Sequence, residues 1–268
     1  MGYDDFWEYE EYERPPDPKQ EEARSHLEKF FEQNREEVFF SRQIEVQNEA
    51  KYFHWITNRA ITELKENGLI NSEIRKLNWG GMITLFWHNS YRYPRRKAAA
   101  LVKLVEEYSS PQIGGLLGLH GEIMVLEGFS RFQFVRLGRN VNEYAGKKWE
   151  SSDHNLDFIF ERDGIPYGLE IKNTLGYMDY DEFKIKKRIC LHLGLKPVFV
   201  VRMIPKSWIK ELNDDGGFAL ILKYQLYPWT HKELAKEVSF KLNLPVDAPR
   251  ELQEGTMLRF VKWHEGNL

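Results

Sequence analysis

The sequence has little of what marks secreted, fibrous or membrane proteins. A single cysteine among 268 residues, Cys190, cannot form an internal disulfide or a structural zinc site. Eleven prolines and nineteen glycines are too few for a fibrous or disordered chain. No stretch approaches the roughly 18 apolar residues that a membrane-spanning helix needs, so we expect no membrane partner. The length suits one large or two modest globular domains.

Charge is distributed unevenly along the chain. Residues 1–37 carry 13 acidic against 5 basic side chains, whereas the remainder carries 33 basic against 28 acidic ones. Residues 1–20 are acidic and lack the basic and apolar stretches of a secretory signal, so we expect them to form an acidic tail on a cytoplasmic protein. The positive balance of the remainder permits a polyanionic partner without requiring one.

Residues 21–95 have the element order of a winged helix-turn-helix domain. Apolar spacing predicts three helices, of which the third runs from about Phe53 to Asn67 and ends at Gly68. Two strand-like runs then flank Trp79-Gly80-Gly81, a hairpin turn signal. This segment resembles the winged-helix family, and the resemblance implies that the third helix enters a DNA major groove. A linking helix is expected over residues 96–111.

Two groups of side chains could contact DNA if the winged-helix resemblance holds. Six side chains on the exposed side of the third helix are available for base contacts: Lys51, Tyr52, His54, Thr57, Asn58 and Arg59. Five basic side chains on or just after the wing suit phosphates: Arg75, Lys76, Arg92, Arg95 and Arg96. Winged helices also dock proteins, and a basic helix face can be a solvated surface, so these alternatives stay open.

Residues 112–268 follow a different pattern, in which the elements read α-β-β-β-α-β. The first helix, around Leu116–Glu127, is expected to bury a stripe of Leu119, Ile123 and Leu126. The remaining elements are predicted from strand-like runs, a turn at Asp163-Gly164 and a second helical stretch. They are Phe132–Leu137, Leu156–Glu161, Tyr167–Lys172, the helix Asp181–Leu193, and Lys196–Val201.

Two carboxylates in this region are the candidate metal ligands. Asp157 is followed after 12 intervening residues by Glu170, and then by Ile171 and Lys172. Strand alternation places Glu170 and Lys172 on one face, and the hairpin lets Asp157 approach Glu170 from the neighbouring strand. Two close carboxylates repel each other unless a cation lies between them, and oxygen ligands suit Mg²⁺ or Mn²⁺. The pattern therefore predicts a divalent metal site with an adjacent lysine.

The set Asp157…Glu170-Ile171-Lys172, with a preceding helix that carries Glu122, resembles the PD-(D/E)xK nuclease superfamily. The resemblance covers roughly residues 112–205, although Leu156 stands where that family often has proline. It implies an α/β (α+β) fold of the restriction-endonuclease or archaeal Holliday-junction-resolvase type, an αβββαβ core with a central mixed sheet.

The resemblance also implies a role for each matched residue. Asp157, Glu170 and the Ile171 carbonyl would bind the metal, with Glu122 as a further metal or water ligand. Lys172 would orient the attacking water and stabilise the phosphate in the transition state. A carboxylate that only faces the helix dipole is the alternative for Glu122.

The second helix of this domain is basic. In the resembled family this helix faces the phosphate backbone, which makes four residues candidates for phosphate contact: Lys184, Lys186, Lys187 and Arg188. A solvated basic helix face is the alternative. Cys190 lies between apolar residues in the same helix and is expected to pack in the core.

These observations together predict a metal-dependent DNA endonuclease. A separate reader domain favours a restriction-type enzyme, and two active sites, as in a homodimer, would be needed to cut both strands. Three alternatives stay open: a structure-selective nuclease for branched or damaged DNA, an RNA nuclease, and a DNA-binding regulator on a catalytically silent nuclease scaffold.

Overall fold

The computed structural model describes residues 18–266, which form two compact units. The first unit extends to Ile113 and also includes Phe240–Leu244, and the second comprises Gly114–Ser239 and the chain from Pro245 onward. Most of the expected acidic tail lies outside the described residues. Both units mix helices and strands.

In the part of the chain that the structure describes, the first unit consists of four helices and a three-stranded sheet. Its elements are α1 (Pro18–Gln33), β1 (Val38–Phe40), α2 (Ser41–Asn48), α3 (His54–Glu66), β2 (Ile70–Lys76), β3 (Met82–His88) and α4 (Arg95–Tyr108). The sheet order is β1-β3-β2. Strand β1 was not expected, because three residues are too few for an alternating pattern to be recognised. Its backbone pairs with β3 and its three side chains are all buried.

Helix α3 forms because its apolar residues return to one side at helical spacing. Ile56, Ala60 and Leu64 are buried in the same core as Leu27 of α1. Gly68 follows the helix with a φ of 71°, a left-handed conformation that glycine adopts without steric cost. The expected helix end is therefore confirmed, and the chain turns there into the β2–β3 hairpin.

The second unit is built on a five-stranded mixed sheet. Its larger elements are α5 (Pro111–Arg131, which starts in the first unit), β4 (Val135–Val141), β7 (Leu156–Arg162), β8 (Ile165–Lys172), α6 (Tyr180–Leu193), β9 (Lys196–Val201), α7 (Lys206–Asp214), β10 (Phe218–Ile221), α8 (Lys232–Leu242) and α9 (Glu254–Glu265). Four two-residue strands complete it: β5 (Glu143–Tyr144), β6 (Lys147–Lys148), β11 (Gln225–Leu226) and β12 (Val246–Asp247).

The sheet order is β10-β9-β8-β7-β4, antiparallel from β4 to β8 and parallel from β8 to β10. The succession α5, β4, β7, β8, α6, β9 agrees with the expected α-β-β-β-α-β order, with only the β5–β6 hairpin inserted. A mixed α/β fold around a mixed sheet is therefore confirmed.

Two expectations about this unit were wrong. Leu119 and Ile123 on α5 are about half exposed, and the helix instead buries Met124, Val125 and Phe129. The strand expected at Phe132–Leu137 starts only at Val135, because the chain after α5 first makes a tight turn whose amides bond back to the end of the helix.

The C-terminal helix α9 was not predicted, and it anchors the turn of the β7–β8 hairpin. Phe260 of α9 packs against core aromatic rings, and His264 is fully buried. The Tyr167 hydroxyl lies 2.6 Å from His264 Nδ1, and His264 Nε2 lies 2.9 Å from Asp163 Oδ2. The hydrogen bond from His264 holds the pKa of the Asp163 carboxyl below its usual range. Each polar group in this chain of contacts has a partner.

Candidate active site

The β7–β8 hairpin brings the two predicted carboxylates together. Asp163 and Gly164 form its turn with φ values of 55° and 73°, the left-handed conformations that tight two-residue hairpins use. The register pairs Phe158 with Leu169, which places Asp157 directly opposite Glu170. The expected approach of the two carboxylates is therefore present at the end of the hairpin away from the turn.

Asp157 is held in place by the backbone of the neighbouring strand. Its Oδ2 accepts a hydrogen bond of 2.7 Å from the Ile171 amide. Burial raises the pKa of Asp157 above its ordinary value although this hydrogen bond acts in the opposite direction. In an extended strand, the N–H and C=O of one residue face the same neighbour. The Ile171 carbonyl therefore faces the side of the strand on which Asp157 lies.

Glu170 is almost completely buried, with 3% of its surface exposed. Burial and then the charge of Asp157 raise the pKa of Glu170 to about 7, although nearby lysines oppose the shift. Lys186 Nζ lies 2.6 Å from Glu170 Oε2 and forms an ion pair with it. Burial therefore disfavours the ionised form of both carboxylates, and the charge of Asp157 adds to this effect at Glu170. Additional positive charge would favour the ionised forms.

Lys172 lies beside these carboxylates at the end of β8. Its Nζ is 2.7 Å from Glu182 Oε1 and 3.7 Å from Glu170 Oε1. Burial acts to lower the pKa of Lys172, but the hydrogen bond with Glu182 and the charge of Glu170 outweigh it, and the pKa lies above its ordinary value. Lys172 is therefore a cation near neutral pH and a poor general base.

Helix α6 covers the face of the sheet that carries Glu170. The Asp179 side chain accepts hydrogen bonds from the Asp181 and Glu182 amides and fixes the start of the helix. Glu182 and Lys186 are four residues apart and share one helix face, which directs both toward the end of β8. Sequence reasoning placed Lys186 among phosphate contacts and missed its pairing with Glu170, because only the packing of α6 on the sheet reveals it.

Glu122 is near the site but is engaged elsewhere. It lies 2.8 Å from Arg139 of β4, and its charge contributes to raising the pKa of Asp157. Gly121 lets α5 approach the end of β8, since a Cβ there would lie 2.7 Å from the Asn173 side chain. Asn173, which sequence reasoning also missed, is buried and bonds to the carbonyls of Leu117 and Leu226. These contacts fix the residue that follows Lys172 at the end of β8.

The donor set suits a hard divalent cation. Asp157 and Glu170 offer carboxylate oxygens, and the Ile171 carbonyl can add a backbone oxygen, which are the ligand types that Mg²⁺ and Mn²⁺ prefer. Among residues 18–266, no three His, Cys, Asp or Glu side chains come close enough together to hold a metal ion by themselves. A cation at this position would therefore need the backbone oxygen and water in addition to the two carboxylates.

The predicted DNA contacts of the first unit divide into exposed and buried side chains. Tyr52 and Thr57 are buried, with 3% and 0% of their surface exposed, so their expected position on the exposed helix side was wrong. Thr57 lies on the apolar side of α3, and Tyr52, which precedes the helix, packs in the core of this unit. His54 is half-buried, which lowers its pKa, and Arg75 pairs with Glu73. The exposed candidates are Lys51, Asn58, Arg59, Lys76, Arg92, Arg95 and Arg96.

An exposed aromatic ring accompanies these residues. Trp55 is 41% exposed on α3, and the Arg59 guanidinium stacks over its ring at 4.8 Å. Although Trp55 is apolar, it does not belong to the buried side of α3. The tryptophan adds a flat stacking surface to the polar face of this helix.

The basic residues of α6 are mostly committed to ion pairs. Lys187 is buried between Glu211 at 2.6 Å and Asp215 at 2.5 Å, so its expected availability to phosphate was wrong. Lys184 pairs with Asp181, and Arg188 is exposed. Cys190 is buried in the core as expected, where burial raises the pKa of its thiol well above the usual range.

Comparisons with protein-family models, with curated proteins and with solved structures returned no match to this chain. None of the helices in the described part of the chain combines the length and apolar composition needed to cross a membrane. A functional assignment therefore depends on the geometry of its own residues.

Proposed function

We propose that this chain is a metal-dependent endonuclease of the PD-(D/E)xK type that hydrolyses phosphodiester bonds in DNA. The observation that carries the proposal is the convergence of Asp157, Glu170 and Lys172 at one end of a buried hairpin. Two carboxylates in a buried site that raises their pKa values need a cation, and a neighbouring ammonium suits the transition state of phosphoryl transfer.

A divalent cation held by Asp157, Glu170 and the Ile171 carbonyl would supply positive charge to the scissile phosphate. Lys172 stays protonated beside Glu182 and is placed to donate hydrogen bonds to the attacking water or to a phosphate oxygen. Glu182 orients Lys172 from the first turn of α6. The buried hairpin keeps Asp157 and Glu170 in a fixed arrangement, so little reorganisation accompanies the reaction.

The first unit is proposed as a winged-helix DNA reader. Two observations support this proposal. The unit has three helices followed by a hairpin, and α3 exposes Asn58, Arg59 and Trp55. A reader separate from the catalytic residues favours restriction-type cleavage directed by sequence. Cleavage of both strands would need two active sites, which a symmetric homodimer would provide.

The test is cleavage by the full chain of supercoiled plasmid, linear duplex, a four-way junction and single-stranded RNA, with Mg²⁺, Mn²⁺ or EDTA. Asp157→Asn and Lys172→Met are the site variants, and Lys236→Met is the matched control because it removes the same charge from an exposed residue of α8 that has no proposed role in DNA or metal binding. Metal-dependent DNA cutting that only the site variants lose would support the proposal. A preference for the junction would instead indicate a structure-selective nuclease. Equal cutting by all variants, or DNA binding without any cutting, would contradict the proposal.

A further inference from the structure

Lys186 is an unusual lysine because it is buried at the centre of the carboxylate site. Its side chain is 8% exposed, and its Nζ lies 2.6 Å from Glu170 Oε2 and donates a 2.6 Å hydrogen bond to the Asn155 carbonyl. Charged lysines are rarely buried unless they are paired. Two contacts from different segments therefore fix this ammonium on one oxygen of Glu170.

The two oxygens of Glu170 differ in how firmly a lysine occupies them. Lys172 Nζ lies 3.7 Å from Oε1, and its side chain is about a third exposed. Lys172 also forms an ion pair with Glu182. Lys186 lies closer to Oε2 and has no carboxylate other than Glu170 among its ion pairs in the described chain. Oε1 can therefore be released to a cation, whereas Oε2 is held by a buried positive charge.

This difference limits how many divalent ions the site can accept. In two-metal sites the ions lie roughly 3.5–4 Å apart, so both draw on a small set of shared oxygens. A second ion that used Oε2 would have to approach the Lys186 ammonium in a buried environment where like charges repel strongly. Lys186 already supplies positive charge at that position.

We propose that Lys186 takes the place of a second metal ion, holding Glu170 Oε2 so that the site binds one divalent cation per chain. This inference rests on the proposed function, since it assumes that Asp157 and Glu170 hold a cation. Lys186 acts as a positioning residue, because it reaches the reacting groups only through Glu170.

The experiment is a calorimetric titration of the full chain with Mn²⁺ after removal of metal with a chelator. We expect one ion per chain in the wild type and none at this site in Asp157→Asn. Lys186→Met should bind a second Mn²⁺ ion, because Oε2 is then free and the repelling charge is gone. Lys186→Arg and Lys184→Met should stay at one ion, since the first keeps the charge and the second removes a charge away from Glu170.

The possible results separate the two proposals. Two ions in the wild type, both lost in Asp157→Asn, would overturn the role of Lys186 and leave the nuclease proposal standing. No binding in the wild type would overturn both. If Lys186→Met does not fold, Lys186→Gln keeps a hydrogen-bonding group without the charge and should bind two ions. One ion in a folded, uncharged Lys186 variant would overturn the inference.

Discussion

The two ends of the β7–β8 hairpin hold polar groups in contrasting arrangements. At the turn, Tyr167, His264 and Asp163 form a linear chain of contacts in which each group finds a partner. At the other end, Asp157 and Glu170 lie opposite each other, and the pKa of Glu170 rises to about 7. The same two strands thus carry one polar cluster whose groups are paired and one in which the pKa values of two carboxylates are raised despite nearby lysines.

This difference separates a cluster that stabilises the fold from one that is proposed to take part in catalysis. Buried polar groups that are fully paired contribute to a unique native state, whereas a buried pair of like charges costs stability. A protein retains such a conflict where a ligand or a reaction uses it. We therefore expect the turn end to stabilise the unit, and the carboxylate end is the candidate site.

The largest expected effect is on cleavage at the carboxylate end. Asp157→Asn or Lys172→Met should lower the rate of DNA cutting by at least roughly 10²–10³-fold, because each removes a preorganised charge from the transition state. Single-turnover cleavage measures this effect, and urea unfolding should show both variants folded. A cutting rate within about threefold of the Lys236→Met control would contradict the proposed difference between the two ends.

The next effect is on stability at the turn end. His264→Ala should lower the free energy of unfolding by roughly 3 kcal/mol, because it leaves a cavity and removes the partner of a buried tyrosine hydroxyl. Urea denaturation followed by circular dichroism measures the loss. Cleavage per folded molecule should remain near wild type, and a selective loss of activity in a stable variant would contradict the assignment.

A smaller effect isolates one hydrogen bond of the same cluster. Tyr167→Phe keeps the ring packed in the core but removes the hydroxyl that contacts His264. The expected loss is about 1–2 kcal/mol of unfolding free energy, the usual cost when a buried partner is left unpaired. In the His264→Ala background the same substitution should cost much less, and an equal cost in both backgrounds would show that the two groups do not interact.

A further effect concerns the pH dependence of stability in metal-free protein. The folded-state pKa of Glu170 is about 7 against an ordinary 4.5, so between these values the folded state binds a proton that the unfolded state has lost. The stability that this group contributes is present below about pH 4.5 and is lost as the pH rises toward 7. In EDTA, the urea midpoint of the wild type should therefore fall relative to that of Glu170→Gln across this window. Parallel midpoints at pH 5 and pH 8 would contradict the raised pKa.

The backbone of the site could be predicted from the sequence because its signals are local. The Asp163-Gly164 turn and the alternation along both strands set the hairpin register, and the register alone places Asp157 opposite Glu170. The strand Lys196–Val201 was likewise predicted with its observed limits, because a short apolar run with clear breakers on both sides has few alternatives.

The surroundings of the site could not be predicted because they depend on packing between distant segments. Lys186 and Lys187 are adjacent in a basic helix, yet one pairs with Glu170 on the sheet and the other with carboxylates around α7. The apolar stripe of α5 was wrong for a related reason. Its leucine, isoleucine and glycine residues are distributed around the helix, so periodicity does not define the buried face.

The proposed function depends most directly on whether a divalent cation binds at the carboxylate end of the hairpin. Thermal unfolding of chelator-treated wild type and Glu170→Gln, each with increasing Mg²⁺ or Mn²⁺, tests this without requiring the DNA substrate. A cation that binds only the folded site raises the Tm of the wild type in a concentration-dependent way, and Glu170→Gln should lose that response. An unchanged Tm in the wild type, or an equal rise in the variant, would contradict the account.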